Sequence, residues 1–201
     1  MSVDYSQVTE TAGDEISREQ LLRLQTRYYF ASQYCKDKDV LEVACGTGPG
    51  LGILQKISKK IVAGDYCPSL LLTAFSHYGH RIPFLRFDAH FLPFKNNSFD
   101  VIICYEAIYY FKNPDIFVQE CNRLLRQKGK LILCTANKDL PDFNPSPHSY
   151  FYFSPIEFKE LLESQKFQIQ CFGDCPVDYK SIKQKALSFV KRMMVKFNLM
   201  P

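Results

Sequence analysis

The sequence predicts an α/β protein: a Rossmann-like, doubly wound, mostly parallel sheet with helices on both faces. Short apolar runs, "VLEVA", "KIVAG", "IPFLRF", "FDVIIC" and "GKLILCT", succeed one another from Asp39 onward, with helix-length segments between most of them. Runs that lack polar alternation are characteristic of strands covered on both faces. The first run leads at once into a glycine-rich stretch, Gly46 to Gly52, and such a turn after the first strand marks the crevice of an open parallel sheet. Helix starts fall where the alternation needs them, at Pro68, at Asn113-Pro114-Asp115 and at Ser154-Pro155-Ile156-Glu157, each with a first-turn proline and the last with a capping-box acid.

Taken in chain order, Ser17 with Gln20 is a capping-box pattern, and Leu21, Leu22, Leu24, Tyr28 and Ala31 keep helical spacing, so an amphipathic helix is expected over 17 to 34, covering the sheet. "LGILQKI" opens the helix after the glycine loop, whose positive end should lie near any ligand. Two regions break the rhythm: "LPDFNPSPHSYFYF", Leu140 to Phe153, and everything from Gly173. After "KFQIQCFG" no alternating run follows. Instead Leu187, Val190, Met194 and Phe197 sit at helical spacing among Lys180, Lys183, Lys185, Lys191, Arg192 and Lys196, which predicts a basic amphipathic helix. One domain is expected over 1–201, divided into an N-terminal cover (1–38), a core (39–172) and a basic tail (173–201).

With 201 residues, 46% of them hydrophobic, the chain can bury a core, and disorder is excluded. A net charge of +4, scattered until the tail, argues against nucleic acid as a partner. No stretch approaches the roughly 18 apolar residues of a membrane span, and "MSVDYSQVTETAGDE" lacks a signal peptide's basic and apolar regions, so a cytoplasmic location without an integral span is expected. The eight cysteines contain no C-x-x-C and mostly lie in apolar runs. They read as reduced, buried thiols, and no metal site is expected. The tail offers a surface for a second copy of the chain or for a peripheral contact.

Two kinds of glycine loop are excluded by spacing. No G-K-[ST] follows, as a phosphate-cradling loop requires, and G-x-G-x-x-G fails in every frame, its sixth position being Leu51, Ile53 or Gln55. The ligand expected here carries an adenosine-like group without a diphosphate.

At Glu42-Val43-Ala44-Cys45-Gly46-Thr47-Gly48 the sequence resembles the class I S-adenosylmethionine-dependent methyltransferases, whose first strand ends in an acid followed by G-x-G-x-G, with Ala44 here at the first glycine position. Asp65, at the end of "IVAGD", matches the family acid that takes the ribose hydroxyls, with Tyr66 beside the adenine. "FDAHFLPFKNNSFDVIICYEAIYYF" matches the stretch whose first acid, Asp88, binds the adenine amine with the Ala89 and His90 backbone nearby. "ECNRLLRQKGKLIL" matches the family's R-x-L-x-x-G-G turn and fifth strand, with Lys128 in place of the first glycine. The likeness covers about residues 38 to 172 and is nearest to the small-molecule, ubiquinone-biosynthesis (type 11) branch. It implies S-adenosyl-L-methionine as cofactor and S-adenosyl-L-homocysteine as product, held by Glu42, Ala44, Gly46, Thr47, Gly48, Asp65, Tyr66, Asp88, Ala89, His90 and Tyr105.

Methyl transfer to oxygen or nitrogen calls for a proton acceptor, and Glu106 after the fourth strand and His148 in the aromatic loop are the expected catalytic groups, with His90 a further candidate. Tyr28, Tyr109, Tyr110 and Tyr150 are the expected acceptor-facing residues, and Arg27 is read either as a partner of the methionine carboxylate or as a solvated side chain. Two rival readings stand beside this one. A non-catalytic binding or scaffold module is suggested because the seventh, antiparallel strand that the resemblance implies has no alternating run to form it after "KFQIQCFG", and because no base is unambiguous. A nicotinamide oxidoreductase would share the acid at Asp65 but not the glycine spacing.

Overall fold

The computed structural model describes residues 17–140 and 143–173. The polar N-terminal stretch, Cys175, the basic tail helix and the place of a seventh strand lie outside them.

The chain runs α1 (Arg18–Cys35), β1 (Asp39–Val43), α2 (Leu51–Gln55), β2 (Lys60–Asp65), α3 (Pro68–Tyr78), β3 (Phe84–Arg86), β4 (Phe99–Tyr105), α4 (Pro114–Leu124), β5 (Leu125–Cys134) and α5 (Pro155–Ser164). Every strand pairing is parallel, in the order β3-β2-β1-β4-β5. The order turns around between β1 and β4. The chain therefore leaves their carboxyl ends, Val43 and Tyr105, in opposite directions, which opens the crevice where ligands of such sheets lie.

Both faces of the sheet are covered. Val40, Ile61, Ala63, Val101 and Ile103 pack against Tyr28, Ala31 and Cys35 of α1, Leu51 and Leu54 of α2 and Leu71 of α3. Leu41, Val43, Ile102 and Cys104 pack on the other side against Phe117, Val118, Cys121 and Leu124 of α4 and Leu161 and Leu162 of α5. Successive strand residues point to opposite faces, and both faces are dry, which is why the strand runs show no polar alternation.

Capping boxes at Ser17–Gln20 and Ser154–Glu157 start α1 and α5 as the sequence predicts. Helix α2 is shorter than expected, five residues ending at Gln55, with the Ser58 hydroxyl and backbone N–H both turned onto the Leu54 carbonyl. A helix this short has few aligned peptide dipoles, so the loop owes little to a positive helix end. Among the described residues the sheet has five strands, and 167–173 holds none, although Phe167 and Ile169 pack on the α4–α5 face.

At the amino ends of the strands Arg126 lies 2.9 Å from both Asp39 and Asp100, tying β1, β4 and β5 together on the side away from the crevice.

Candidate functional site

The glycine loop leaves β1 through a left-handed backbone: φ is 56° at Ala44, 56° at Gly46 and 76° at Gly48. A Cβ on Gly48 would also stand 2.7 Å from Leu51 Cδ1. The loop is then laced to its surroundings, the Gly46 N–H donating to Asp65 Oδ2 at 2.9 Å and the Tyr78 hydroxyl to the Gly48 carbonyl at 2.7 Å. Gly50 has a different reason to be glycine. A Cβ there would fall 2.2 Å from the Tyr28 ring, so this glycine makes room for α1.

Glu42, 2% exposed, stands at the end of β1. The Tyr28 hydroxyl donates to its Oε1, and its Oε2 is buried with no hydrogen-bond partner. Burial pushes this carboxyl up to about 7, against the opposing pull of the Tyr28 bond. Asp65, 7% exposed at the end of β2, accepts from the Gly46 N–H on Oδ2 and from the Cys67 N–H on Oδ1, both at 2.9 Å. Burial raises it, and these backbone bonds oppose the rise. The Tyr66 N–H opposes the rise as well, so three backbone donors draw on the roughly four lone-pair sites of this carboxylate. Tyr66 is 39% exposed, with the Arg86 guanidinium 5.7 Å from its ring centre.

Asp88 and His90 form one unit. Asp88 Oδ1 accepts from the His90 backbone N–H at 2.9 Å and meets His90 Nδ1, while the Asn113 backbone N–H donates to His90 Nε2 at 3.1 Å. Nδ1 therefore carries the proton, both ring nitrogens are engaged, and His90 joins the β3 loop to the start of α4 instead of standing ready as a base. The same loop is held from below by Arg123, which donates to the Leu92 and Phe94 carbonyls and pairs with Glu120, whose carboxyl it keeps below the usual range. In the sequence Arg123 appeared only as a letter of the R-x-L-x-x-G-G pattern, and its capping of this loop had no local signal.

Glu106 follows β4 with φ at 48°. Arg27 lies 3.2 Å from its Oε1, and the Tyr109 hydroxyl donates to its Oε2 at 3.3 Å. Arg27, read as a partner of a ligand carboxylate or as a solvated side chain, is thus turned onto Glu106, and its carbonyl accepts from the Tyr105 hydroxyl at 2.9 Å. Tyr109 stacks on Tyr152 with ring centres 4.5 Å apart, Tyr110 bonds Ser146, and the Tyr150 N–H donates to the Tyr109 carbonyl at 2.9 Å. These contacts draw 143–153 over the end of β4, so Glu106, Tyr109, Tyr110 and Tyr150 share the cleft wall with Glu42, Asp65 and Asp88.

Two expected residues are placed otherwise. His148 is exposed on a left-handed turn (φ 66°) and is not among the wall residues, because the Ser146–Ser149 turn carries it outward. Tyr28, expected to face the acceptor, is 3% exposed and committed to Glu42. Thr135, just past β5, was missed: it lines the cleft with a buried, unpartnered hydroxyl.

A family described as "Methyltransferase domain" matches residues 41–133, from β1 to the end of β5. A protein of Mycobacterium tuberculosis named as a probable S-adenosylmethionine-dependent methyltransferase is 30% identical over 116 residues, covering 58% of this chain and 42% of its own. The ubiquinone/menaquinone biosynthesis C-methyltransferase of Hahella chejuensis is 27% identical over 137 residues, 63% of this chain and 54% of its own. The chain thus spans about half the length of these curated relatives. The solved SAM-dependent methyltransferase of Aquifex aeolicus shares the fold, with a TM-score of 0.66 at 19% identity over 77% of this chain and 86% of that one. A parallel sheet with its switch point beside an acid–glycine loop, matched from first strand to fifth by the methyltransferase-domain family, makes residues 41–133 of this chain similar to that family, and the chain has the Rossmann-like fold of solved S-adenosylmethionine-dependent methyltransferases.

Proposed function

We propose that the chain binds S-adenosyl-L-methionine across the carboxyl ends of β1, β2 and β3 and transfers its methyl group to a small-molecule acceptor held beyond β4. The observation that carries this reading is Glu42. A carboxylate 98% out of water, with one oxygen unpartnered and only neutral groups around it, lacks what an α-ammonium group supplies. Asp65 keeps acceptor capacity for a ribose hydroxyl, and Asp88, its side chain 44% exposed, is placed for an exocyclic amine. Ala44, Gly46, Thr47 and Gly48 form the loop beneath, with Tyr66, Ala89, His90 and Tyr105 on the walls.

When bound, the cofactor supplies a methyl group on a positive sulfur. The chain's part is to hold donor and acceptor in line and exclude water. Tyr109, Tyr110 and Tyr150 supply an aromatic wall for the acceptor, and Glu106 is the acid nearest to it. A small-molecule acceptor is supported by relatives named for C- and O-methylation in ubiquinone biosynthesis. No helix among the described residues is long and apolar enough to cross a membrane.

Glu106 is engaged by Arg27 at Oε1 and by the Tyr109 hydroxyl at Oε2. That pairing favours a second reading, a domain that binds the cofactor without turnover, and the two part on methyl transfer across a panel of small acceptors. Calorimetry tests the cofactor assignment. Asp65→Ala should weaken S-adenosylhomocysteine binding by roughly 1.5–3 kcal/mol for each charged hydrogen bond lost. Unchanged affinity, or tight binding of NAD in its place, would overturn it.

A further inference from the structure

Resting on that reading of Glu42, we infer that Tyr28 of the cover helix is a positioning residue for the cofactor acid: its hydroxyl holds Oε1, leaves Oε2 as the open acceptor, and couples the docking of α1 to the arrival of a ligand ammonium.

The geometry gives Tyr28 little other use. Its ring lies against Gly50, where a Cβ would come within 2.2 Å, and stands edge-on to Tyr105 with ring centres 5.4 Å apart and planes at 83°. Held on two sides, the ring delivers its hydroxyl to Glu42 across fourteen residues of sequence. The preceding residue, Arg27, grips Glu106, so one turn of α1 holds the acid near the end of β1 and the acid that follows β4.

The titratable groups facing Glu42 are Tyr28 and Cys35 of α1, Cys45 of the loop, Tyr78 of α3, and Cys104 and Tyr105 of β4. All are phenols or thiols pushed up, first of all by burial, and none is a cation. Near neutral pH Glu42 is therefore the member of this cluster that changes charge. An ammonium arriving at Oε2 ionises it, and the Tyr28 bond becomes charge-assisted and stronger. By linkage, whatever the ligand adds to α1 docking, α1 docking adds to ligand affinity.

The test uses the full chain with S-adenosylhomocysteine as the probe, titrated by calorimetry from about pH 5.5 to about pH 8.5. Wild-type affinity should climb by about tenfold per pH unit at the acid end and level off above the Glu42 midpoint. Tyr28→Phe keeps the ring and removes the donor. The break should move to higher pH, and affinity on the acid side should fall by about tenfold while the loss narrows at the alkaline end. A purely structural role would lower the curve equally at every pH. A Tyr28→Phe profile parallel to wild type, or superimposed on it, overturns the inference.

Glu42→Gln separates the two levels of the argument. If it binds like wild type, the cofactor reading itself falls. If it binds weakly and without pH dependence while Tyr28→Phe matches wild type, only the role of Tyr28 falls. Should Tyr28→Phe fail to fold, hydrogen exchange on the wild-type chain decides. Amides 26 to 30 should exchange at least about fivefold more slowly with saturating S-adenosylhomocysteine. Unchanged exchange overturns the coupling.

Discussion

Arg27 sits 3.2 Å from Glu106 across the mouth of the crevice, with their side chains 17% and 32% exposed. An arginine from the cover helix thus neutralises the acid that follows β4. A pair this sheltered is screened less than a surface pair. A double-mutant cycle of Arg27→Ala and Glu106→Ala, read by urea denaturation, should show a coupling of about 1 kcal/mol. Strictly additive single losses would show that the pair contributes nothing to docking α1.

Glu42 makes the ligand-free protein sensitive to pH. Its folded value, about 7, lies above the ordinary 4.5, so the folded state holds the proton more tightly than the unfolded chain does. This contribution is present in full below about pH 4.5 and lost as pH rises through about 7, where on the order of 3 kcal/mol has gone. Chemical denaturation across that window should show the decline in wild type and its absence in Glu42→Gln. A wild-type curve parallel to the variant's would contradict the buried-acid account.

Two of the residues on left-handed backbone, Lys128 and Ala44, should respond differently to glycine. Lys128 (φ 65°) is exposed, so Lys128→Gly relieves the left-handed strain and should stabilise by roughly 0.5–1 kcal/mol after the entropy cost of glycine. Ala44 (φ 56°) packs its methyl on the α4–α5 core, and losing that burial, about 0.8 kcal/mol, should leave Ala44→Gly near neutral. Thermal midpoints of the two variants check both expectations, and equal gains would show that the Ala44 methyl adds nothing.

Gly50→Ala drives a methyl group into the Tyr28 ring, and a ring held also by Tyr105 has little room to yield. The expected loss is about 1–3 kcal/mol, accompanied by faster hydrogen exchange in α1. Wild-type stability would mean that α1 does not rest on the loop as described.

Arg123→Ala removes the donors that close the loop after Asp88. Stability should fall by about 2 kcal/mol and adenine-side affinity with it. Measuring both tells loop support from simple helix loss, since a stability loss with full affinity would clear the loop of any part in binding.

The sequence by itself determined the class of fold, the order of its strands and helices and the capped starts of α1 and α5, because hydrophobic period and capping chemistry are local properties. It also singled out Glu42, Asp65 and Asp88, since each ends or follows an apolar run in a parallel sheet. Only the tertiary structure decided what these groups touch. That Tyr28 meets Glu42, that Arg27 meets Glu106, and that Gly50 is small for the sake of a helix begun thirty-two residues earlier are contacts between distant segments, without a periodic trace. His148 shows the same limit from the other side: one left-handed turn carries it out of the cleft wall that its neighbour in sequence, Tyr150, lines. Burial is a property of the packed chain, and burial is what turns an ordinary glutamate at the end of a strand into a group with an open oxygen and a midpoint near neutral pH.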